Sequence, residues 1–234
     1  MKNLALAVLL AFCLAAPVFA QSAAASAAAS AAPAAAQLRE LRAAAERGDA
    51  DAQNKLGRMY LQGQGVEQIP AQAVIWFRKA AEQGHAEGQY NLGERYREGR
   101  GIARDDAQAV AWFRKAAEQG YAEGQYSLGW MYKHGLGVTR DEAQAFAWYR
   151  RAAEQGNAVA QTELGRMYEY GWSVAKDDVQ AVFWYRKAAE QGDIWGQKLL
   201  GYMYLDGRGV AKDCAQAKYW LYKSNNVKFM PPCS

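Results

Sequence analysis

The sequence has few of the residue types on which most protein chemistry depends. Among its 234 residues are two histidines, three cysteines and five prolines. The histidines, His85 and His134, lie far apart, and neither has a second histidine at helical spacing, so the pattern predicts no metal site. No serine or cysteine stands in a recognisable nucleophile context with a histidine and a carboxylate. The sequence therefore predicts a protein that is not an enzyme and has no cofactor.

An excess of charge of one sign is also lacking. The chain has 28 lysines and arginines against 24 aspartates and glutamates, and the two signs are mixed along its length. This balance argues against a nucleic-acid groove and against a strongly anionic target. Hydrophobic residues make up 51% of the chain, which is enough to bury a core.

The chain repeats one sequence pattern every 36 residues. Each copy contains a leucine with a glycine directly after it, a glutamine three residues before it and a tyrosine four residues after it. This spacing places the side chains on one face of a helix, and the glycine would let a second helix approach closely. The leucines are Leu56, Leu92, Leu128, Leu164 and Leu200.

The rest of each copy predicts a turn and a second helix. Glycines such as Gly135 and Gly137 end the first helix because glycine reaches positive φ at little cost. An acidic residue such as Asp141 then caps the second helix, which ends in Ala-Ala-Glu-Gln-Gly in four copies. The second helix also repeats one tryptophan, which we interpret as a core residue, at Trp76, Trp112, Trp148, Trp184 and Trp220.

This pattern resembles the Sel-1-like repeat family, a relative of the tetratricopeptide repeats with a longer turn. The resemblance covers residues 49–228 as five copies. It implies an all-α fold, a right-handed α/α solenoid of five 36-residue helix-pair repeats that works as a protein-binding scaffold. Residues 38–48 match the second helix of a repeat and predict an N-terminal capping helix, and residues 229–234 would form a C-terminal tail.

The N-terminal segment predicts export. Residues 1–20 combine Lys2, an apolar run and a small-residue cleavage site, which is typical of a secretory signal peptide cleaved before Gln21. A retained membrane anchor is the alternative, although the apolar run is shorter than the ~20 residues that a membrane span needs. Residues 21–37, rich in alanine and serine, are either a solvated tether or a tolerated low-complexity segment. We expect a periplasmic protein with no stable membrane insertion after cleavage.

The predicted export affects the oxidation state expected for the cysteines. Cleavage would remove Cys13 and leave Cys214 and Cys233 in an oxidising compartment, where an isolated pair most simply forms one disulfide. Two free thiols are the alternative.

The positions that differ between copies predict the binding site. In tetratricopeptide-like solenoids the outward face of the first helix lines a concave groove, and Trp130 and Trp195 fall on that face, with Trp172 in a turn beside it. Aromatic side chains mixed with arginine and carboxylates are typical of interface hot spots, although Trp130 and Trp195 could instead pack within the array. The predicted partner-binding residues are Tyr90, Glu94, Arg97, Tyr126, Trp130, His134, Arg166, Tyr170, Trp172, Trp195 and Tyr202.

These features together predict a non-catalytic periplasmic protein that binds a partner protein through its groove. The family resemblance adds a finer hypothesis, because small exported Sel-1-like proteins include immunity proteins that neutralise type VI secretion effectors, among them phospholipases. The alternative is a structural or adaptor component of an envelope machine, such as a flagellar motor or a secretion apparatus. The sequence leaves both hypotheses open and does not identify the partner.

Overall fold

A computed structural model describes residues 35–224 of the chain. Within that range the protein consists of eleven α-helices joined by short turns, and none of these residues lies in a β-strand. The first helix, α1, occupies residues 35–46. The others are α2 Ala50–Gln62, α3 Pro70–Glu82, α4 Ala86–Glu98, α5 Asp106–Glu118, α6 Ala122–His134, α7 Glu142–Glu154, α8 Ala158–Tyr170, α9 Asp178–Glu190, α10 Ile194–Asp206 and α11 Cys214–Lys223.

The helices stack in chain order. From α2 to α11, each helix packs against the one before it and the one after it, and the tightest associations are those within the pairs that begin with α2, α4, α6 and α8. This arrangement confirms the predicted all-α solenoid of five helix-pair repeats. Ahead of it, Ala45 of α1 packs with Ala52 and Leu56 of α2, so α1 covers the start of the array.

The turns follow the predicted capping chemistry. Gly135 ends α6 with a φ of 65°, and its N–H donates to the carbonyl of Met131. Asp141 then begins α7 by accepting a hydrogen bond from the N–H of Gln144. The first copy differs, because Pro70 opens α3 and its N-cap residue, Ile69, makes no side-chain hydrogen bond. The other four copies start the second helix with a capping aspartate, and all five end the first helix at a glycine with positive φ.

The repeated glycine brings the two helices of each pair together, as predicted. A Cβ atom on Gly165 would lie 2.5 Å from Cε1 of Tyr185, far inside contact distance. The equivalent atom on Gly129 would lie 2.9 Å from Cδ1 of Tyr149. Only a residue without a side chain allows the rings of the second helices to lie against the backbone of the first helices.

The interpretation of the repeated tryptophans as core is correct for only part of the array. Trp184 and Trp220 are buried, but Trp76, Trp112 and Trp148 are partly exposed. A basic residue three positions later covers each exposed ring; Nζ of Lys115, for example, lies 4.0 Å from the Trp112 ring centroid. The fully buried position is the one directly after each tryptophan, occupied by Phe77, Phe113, Tyr149, Tyr185 and Leu221.

Buried glutamines link successive repeats. The side-chain N–H of Gln89 on α4 donates to the carbonyl of Ala81 on α3, at 3.2 Å. Its side-chain oxygen accepts from Gln119 at the end of α5, at 2.7 Å. Because both ends of a buried amide are hydrogen-bonded, the glutamine fixes the spacing of repeats without an unpaired polar group. The same arrangement recurs around Gln53, Gln125 and Gln161.

Candidate functional site

The first helices of the repeats line the inner side of the solenoid. Direct approaches join α2 to α4, α4 to α6 and α8 to α10, whereas the second helices of neighbouring repeats do not come as close. The inner side is therefore the one predicted to bind a partner. The backbones of α6 and α8 approach each other less closely than those of the helix pairs on either side, and we call this place the α6–α8 junction.

A first recess lies between α4 and α6, with a volume of about 270 Å³. Across its floor, Arg97 donates to both carboxylate oxygens of Glu94, at 3.1 and 2.7 Å, and its guanidinium carbon lies 5.7 Å from the Trp130 ring centroid. Burial raises the pKa of Tyr90 and of Tyr126 to about 12, so both hydroxyls stay protonated at neutral pH. The recess is lined by five predicted residues and one that was not predicted, Ser127: Tyr90, Glu94, Arg97, Tyr126, Ser127 and Trp130.

A second recess, of about 240 Å³, opens across α6, α8 and α10. Tyr126 lines both recesses and so forms the ridge between them. At the far rim Trp195 is 57% exposed, with Nζ of Lys198 4.9 Å from its ring centroid. The lining residues are Tyr126, Val159, Thr162, Glu163, Arg166, Asp193 and Trp195. Two adjoining recesses thus form a groove, which we define by these two sets of lining residues.

Charged groups at the α6–α8 junction connect the two helices. The carboxylate of Glu163 accepts from Nζ of Lys133 and, at 3.3 Å, from an Nη atom of Arg166. The Nε atom of Arg166 is buried and has no hydrogen-bond partner in the described part of the chain. Asp193 is engaged separately, since it accepts from the N–H of Gly196 and from the Thr162 hydroxyl.

Three predicted residues gather at the edge of the groove. Tyr170 and Trp172 stack with their ring centroids 4.9 Å apart, and both are substantially exposed. The His134 ring lies 4.6 Å from that of Trp130, and burial lowers the pKa of His134, so it is neutral at pH 7. His134 and Trp172 also line a cavity of about 300 Å³ with Lys133 at the turn beside the groove. These side chains extend the aromatic surface outside the two recesses.

The structure thus brings together most of the predicted set and omits one member. Tyr202 lies on α10, partly buried, and lines none of the three cavities described above. Residues that the sequence reasoning missed are Ser127, Val159, Thr162, Glu163 and Asp193. One feature of the sequence could have identified Glu163. It lies three residues before Arg166 on the same helix and has the opposite charge.

The described residues also bear on disulfide bonding, membrane insertion and metal binding. Cys214 is disulfide-bonded, and its predicted partner, Cys233, lies outside the described residues. Between residues 35 and 224 no helix is both long and apolar enough to cross a membrane. Over the same range no three histidine, cysteine, aspartate or glutamate side chains are grouped in a way that could hold a metal ion.

Solved structures of other proteins have a similar helical fold. The crystal structure of c5321, a protective antigen present in uropathogenic Escherichia coli strains, matches with 46% identity over 80% of this chain and a TM-score of 0.75, although this chain spans only 40% of that protein. A Sel1 repeat protein from Oxalobacter formigenes matches with 40% identity, 76% and 71% coverage of the two chains, and a TM-score of 0.71. Immunity protein Pa5087 from Pseudomonas aeruginosa shares the fold at 23% identity, with 81% and 73% coverage and a TM-score of 0.55.

The sequence itself matches a family profile along most of its length. Comparison with curated proteins gave no significant match. The profile described as Sel1 repeat matches five consecutive segments, residues 50–85, 86–121, 122–157, 158–193 and 196–226. These segments coincide with the five helix pairs that carry the leucine–glycine pattern. The chain therefore belongs to the Sel1 repeat family.

Proposed function

We propose that this protein is a non-catalytic scaffold that binds one partner protein through the groove. Sel1 repeats mediate protein–protein interaction, and the observation that carries the proposal is the pair of adjoining recesses that share Tyr126. Aromatic and arginine side chains lie at the centre, which is the composition of interface hot spots. The tetratricopeptide-like architecture holds them on rigid helices, so little conformational entropy is lost on binding.

The proposed place of action is the periplasm. The N-terminal residues have the pattern of a secretory signal peptide, and the disulfide at Cys214 supports an oxidising compartment. A scaffold with such a groove in that compartment would meet proteins that are exported or delivered there.

The proposed partner is a toxic effector enzyme delivered into the periplasm by type VI secretion, such as a phospholipase, and the protein would act as its immunity protein. Three Pseudomonas aeruginosa structures, two of them named immunity proteins, have the same fold at 22–23% identity, and this likeness supports the architecture alone. The groove would enclose a protruding segment of the enzyme and block its active site from substrate or membrane. No chemistry by the scaffold is needed for such inhibition.

A toxin-challenge assay tests this function. Cells that lack the protein should be killed by the effector of their own strain, and the wild-type chain should restore survival. The Trp130→Ala, Trp195→Ala double variant should restore it poorly because both rings lie on the groove, and Trp195→Ala alone, which leaves Trp130 packed against the core, separates lost binding from lost stability. The matched control is Phe183→Ala with Tyr219→Ala, since these exposed aromatic side chains lie on the second helices, away from the groove.

The outcome that overturns the immunity function is equally specific. If deletion leaves the cells fully resistant to every periplasmic effector they export, the protein is not an immunity protein. The groove would then serve an adaptor in an envelope machine, and the protein should sediment with the envelope fraction. Equal rescue by the groove variant and the control variant would remove the groove from the proposal.

A further inference from the structure

The outer side of the last two repeats carries aromatic side chains that the middle repeats lack. The position directly before each repeated tryptophan lies on the exposed side of the second helix. It is alanine in α5 and α7, at Ala111 and Ala147. In α9 and α11 it is Phe183 and Tyr219, and both rings are substantially exposed. Exposed aromatic surface is therefore concentrated towards one end of the outer side.

Two more side chains enlarge this surface. Val179 lies one turn before the phenylalanine on α9, and Tyr222, which is 65% exposed, follows the tyrosine by three positions on α11. The two helices are neighbours, because Trp220 of α11 packs in one buried cluster with Val182 of α9. Apolar surface gathered on one face, rather than scattered singly, marks an interaction site. We call this surface the outer aromatic face and define it by Val179, Phe183, Tyr219 and Tyr222.

Lysine side chains accompany the aromatic rings. Nζ of Lys187 lies 4.7 Å from the Phe183 ring centroid, and Nζ of Lys223 lies 4.7 Å from the Tyr219 ring centroid. Lys218, also on α11, is exposed. The helix α11 contains no aspartate or glutamate, whereas α5 and α7 each contain two acidic residues that balance two basic ones. The aromatic end of the outer side is therefore also its more basic end.

Nearby acidic groups do not cancel this charge. Lys176, before α9, pairs with Asp178 at 3.9 Å, so these two charges offset each other. The exposed acidic side chains on α9, on α11 and in the turn between α10 and α11 are Glu190 and Asp213, and Asp213 is engaged in capping α11. Four exposed lysines on the same elements leave a balance of +2: Lys187, Lys212, Lys218 and Lys223.

The combination of aromatic rings and lysines matches the surface of an anionic bilayer. Tyrosine and other aromatic rings favour the headgroup region, where one part of the ring is apolar and its edge is wet. Lysine stems lie along apolar surface while their ammonium groups reach lipid phosphates. A bilayer needs no recess to receive it, and the two recesses that could hold a protein side chain open on the inner side of the solenoid.

We infer that α9 and α11 dock the protein on an anionic phospholipid surface through the outer aromatic face. The rings of Phe183, Tyr219 and Tyr222 lie at headgroup level, and Lys218 and Lys223 contact lipid phosphates. Such a contact is peripheral, which agrees with the expectation of no stable membrane insertion. It goes beyond the proposed function, because it uses the side of the solenoid opposite the groove and leaves the groove open to a partner.

Vesicle sedimentation tests this inference with the purified protein that lacks its predicted signal peptide. The probes are vesicles of equal parts phosphatidylglycerol and phosphatidylcholine, and vesicles of phosphatidylcholine alone. We expect the protein to sediment with the phosphatidylglycerol vesicles and to stay in solution with the others. Added salt should weaken the binding, because it screens the attraction between lysine and phosphate.

Variants assign the binding to this face. Lys218→Gln with Lys223→Gln should lower the partition coefficient about thirtyfold, since each lysine near an anionic surface contributes about fivefold. Phe183→Ser should lower it about fivefold through the loss of exposed ring surface. The matched control is Ile75→Ser, at the same repeat position on α3 and 47% exposed against 44% for Phe183, which should bind like wild type. Circular dichroism of each variant verifies that the helices are intact.

Three results would overturn the inference. The first is equal sedimentation with both kinds of vesicle, and the second is wild-type binding by the Lys218→Gln, Lys223→Gln variant. The third is binding to soluble polyglutamate as tight as binding to the vesicles, which would assign the face to an acidic protein instead.

Failure here is distinguishable from failure of the proposed function, because the vesicle assay contains no effector. Since the outer aromatic face includes Phe183 and Tyr219, Ile75→Ala serves as a second control in the toxin-challenge assay. This side chain lies outside both the groove and the outer aromatic face.

Discussion

The hydroxyl of Tyr185 donates a 2.6 Å hydrogen bond to the buried carboxylate of Glu169. Arg208 adds a second contact, from Nη1 to Oε1 of Glu169 at 2.8 Å. Glu169 is only 4% exposed, so these two groups replace the water that would otherwise solvate its charge. Because the three residues belong to α8, α9 and the turn after α10, they join the fourth repeat to the fifth.

We expect Tyr185→Phe to lower the free energy of unfolding by about 1–2 kcal/mol. The substitution keeps the buried ring but removes one of the two groups that compensate the Glu169 carboxylate. Urea denaturation followed by circular dichroism measures the change. An unchanged midpoint and slope would mean that Arg208 alone is sufficient for Glu169.

Tyr149 occupies the same position one repeat earlier and predicts the opposite result. Its hydroxyl is buried and has no partner in the described chain, and the first two copies have Phe77 and Phe113 at that position. We expect Tyr149→Phe to leave the free energy of unfolding unchanged or to raise it by up to about 1 kcal/mol, because no hydrogen bond is lost. A clearly destabilised Tyr149→Phe protein would show that the hydroxyl has a partner in solution.

Tyr149 also predicts a dependence on alkaline pH. Burial raises the pKa of Tyr149 above the ordinary value of about 10. Above that pH the unfolded chain loses the phenolic proton while the folded chain retains it, so the free energy of unfolding decreases as the pH rises. We expect Tyr149→Phe to show a shallower decrease than wild type above about pH 10, measured by denaturation at several pH values. Parallel curves would contradict the burial effect.

Much of the fold could be predicted because its determinants are local and recur. Two examples are the glycine after each leucine, as at Gly165, and the helix cap at Asp141, which both act within one copy. Their recurrence at the same position in other copies distinguishes them from chance matches. The depth of burial could not be predicted in the same way. Trp112 and Phe113 are adjacent and both apolar, and only the three-dimensional stacking shows that the ring of Phe113 faces Gly93 while Trp112 lies under Lys115.

The groove was predictable in position and less so in detail. Variable positions on the outward face of the first helix identified Tyr126, Trp130 and Trp195, although Tyr126 and Trp130 also pack partly against the buried clusters. Glu163 was missed because its role depends on Lys133, which is thirty positions earlier on a different helix. Contacts between repeats depend on how the helices stack, and one repeat taken alone does not contain that information.

Gly165→Ala tests the close approach of paired helices. A Cβ atom would lie 2.5 Å from the rigid ring of Tyr185, and overpacking of this kind costs about 1–3 kcal/mol, which exceeds the gain of up to about 1 kcal/mol in helix propensity. We expect a net loss of about 1–2 kcal/mol in the free energy of unfolding. Gly156→Ala is the comparison, because no atom lies within 4 Å of its added Cβ and only the cost of a φ of 96° remains, about 1 kcal/mol. No loss, or a gain, for Gly165→Ala would show that the ring of Tyr185 moves aside.

Export and the disulfide can be tested together. Protein recovered from the periplasm should begin at Gln21, and Cys214 should resist alkylation until a reductant is added. Mass spectrometry of the intact chain and of alkylated peptides measures both. Cys214→Ser should lower the free energy of unfolding by about 3 kcal/mol if Cys233 is the partner, since the bridge would close a short loop. Recovery of the form that begins at Met1 from the cytoplasm would contradict the predicted export.

The two groove tryptophans should differ in their effect on stability, and this difference decides which of them is the cleaner probe of binding. Trp195 is 57% exposed, so we expect Trp195→Ala to change the free energy of unfolding by less than about 0.5 kcal/mol. Trp130 is partly buried against the clusters that contain Met131 and Tyr149, so Trp130→Ala should cost about 2 kcal/mol. Thermal and urea denaturation of both single variants measure these changes.

Trp195→Ala is therefore the sharper probe of binding. Truncation of a hot-spot tryptophan costs about 2 kcal/mol, or about thirtyfold in the dissociation constant, which titration calorimetry with the partner would measure. A large loss of affinity without a loss of stability would assign Trp195 to the interface. A large loss of stability would instead mean that Trp195 packs within the array. The groove would then be defined by Tyr126 and Arg166 without Trp195.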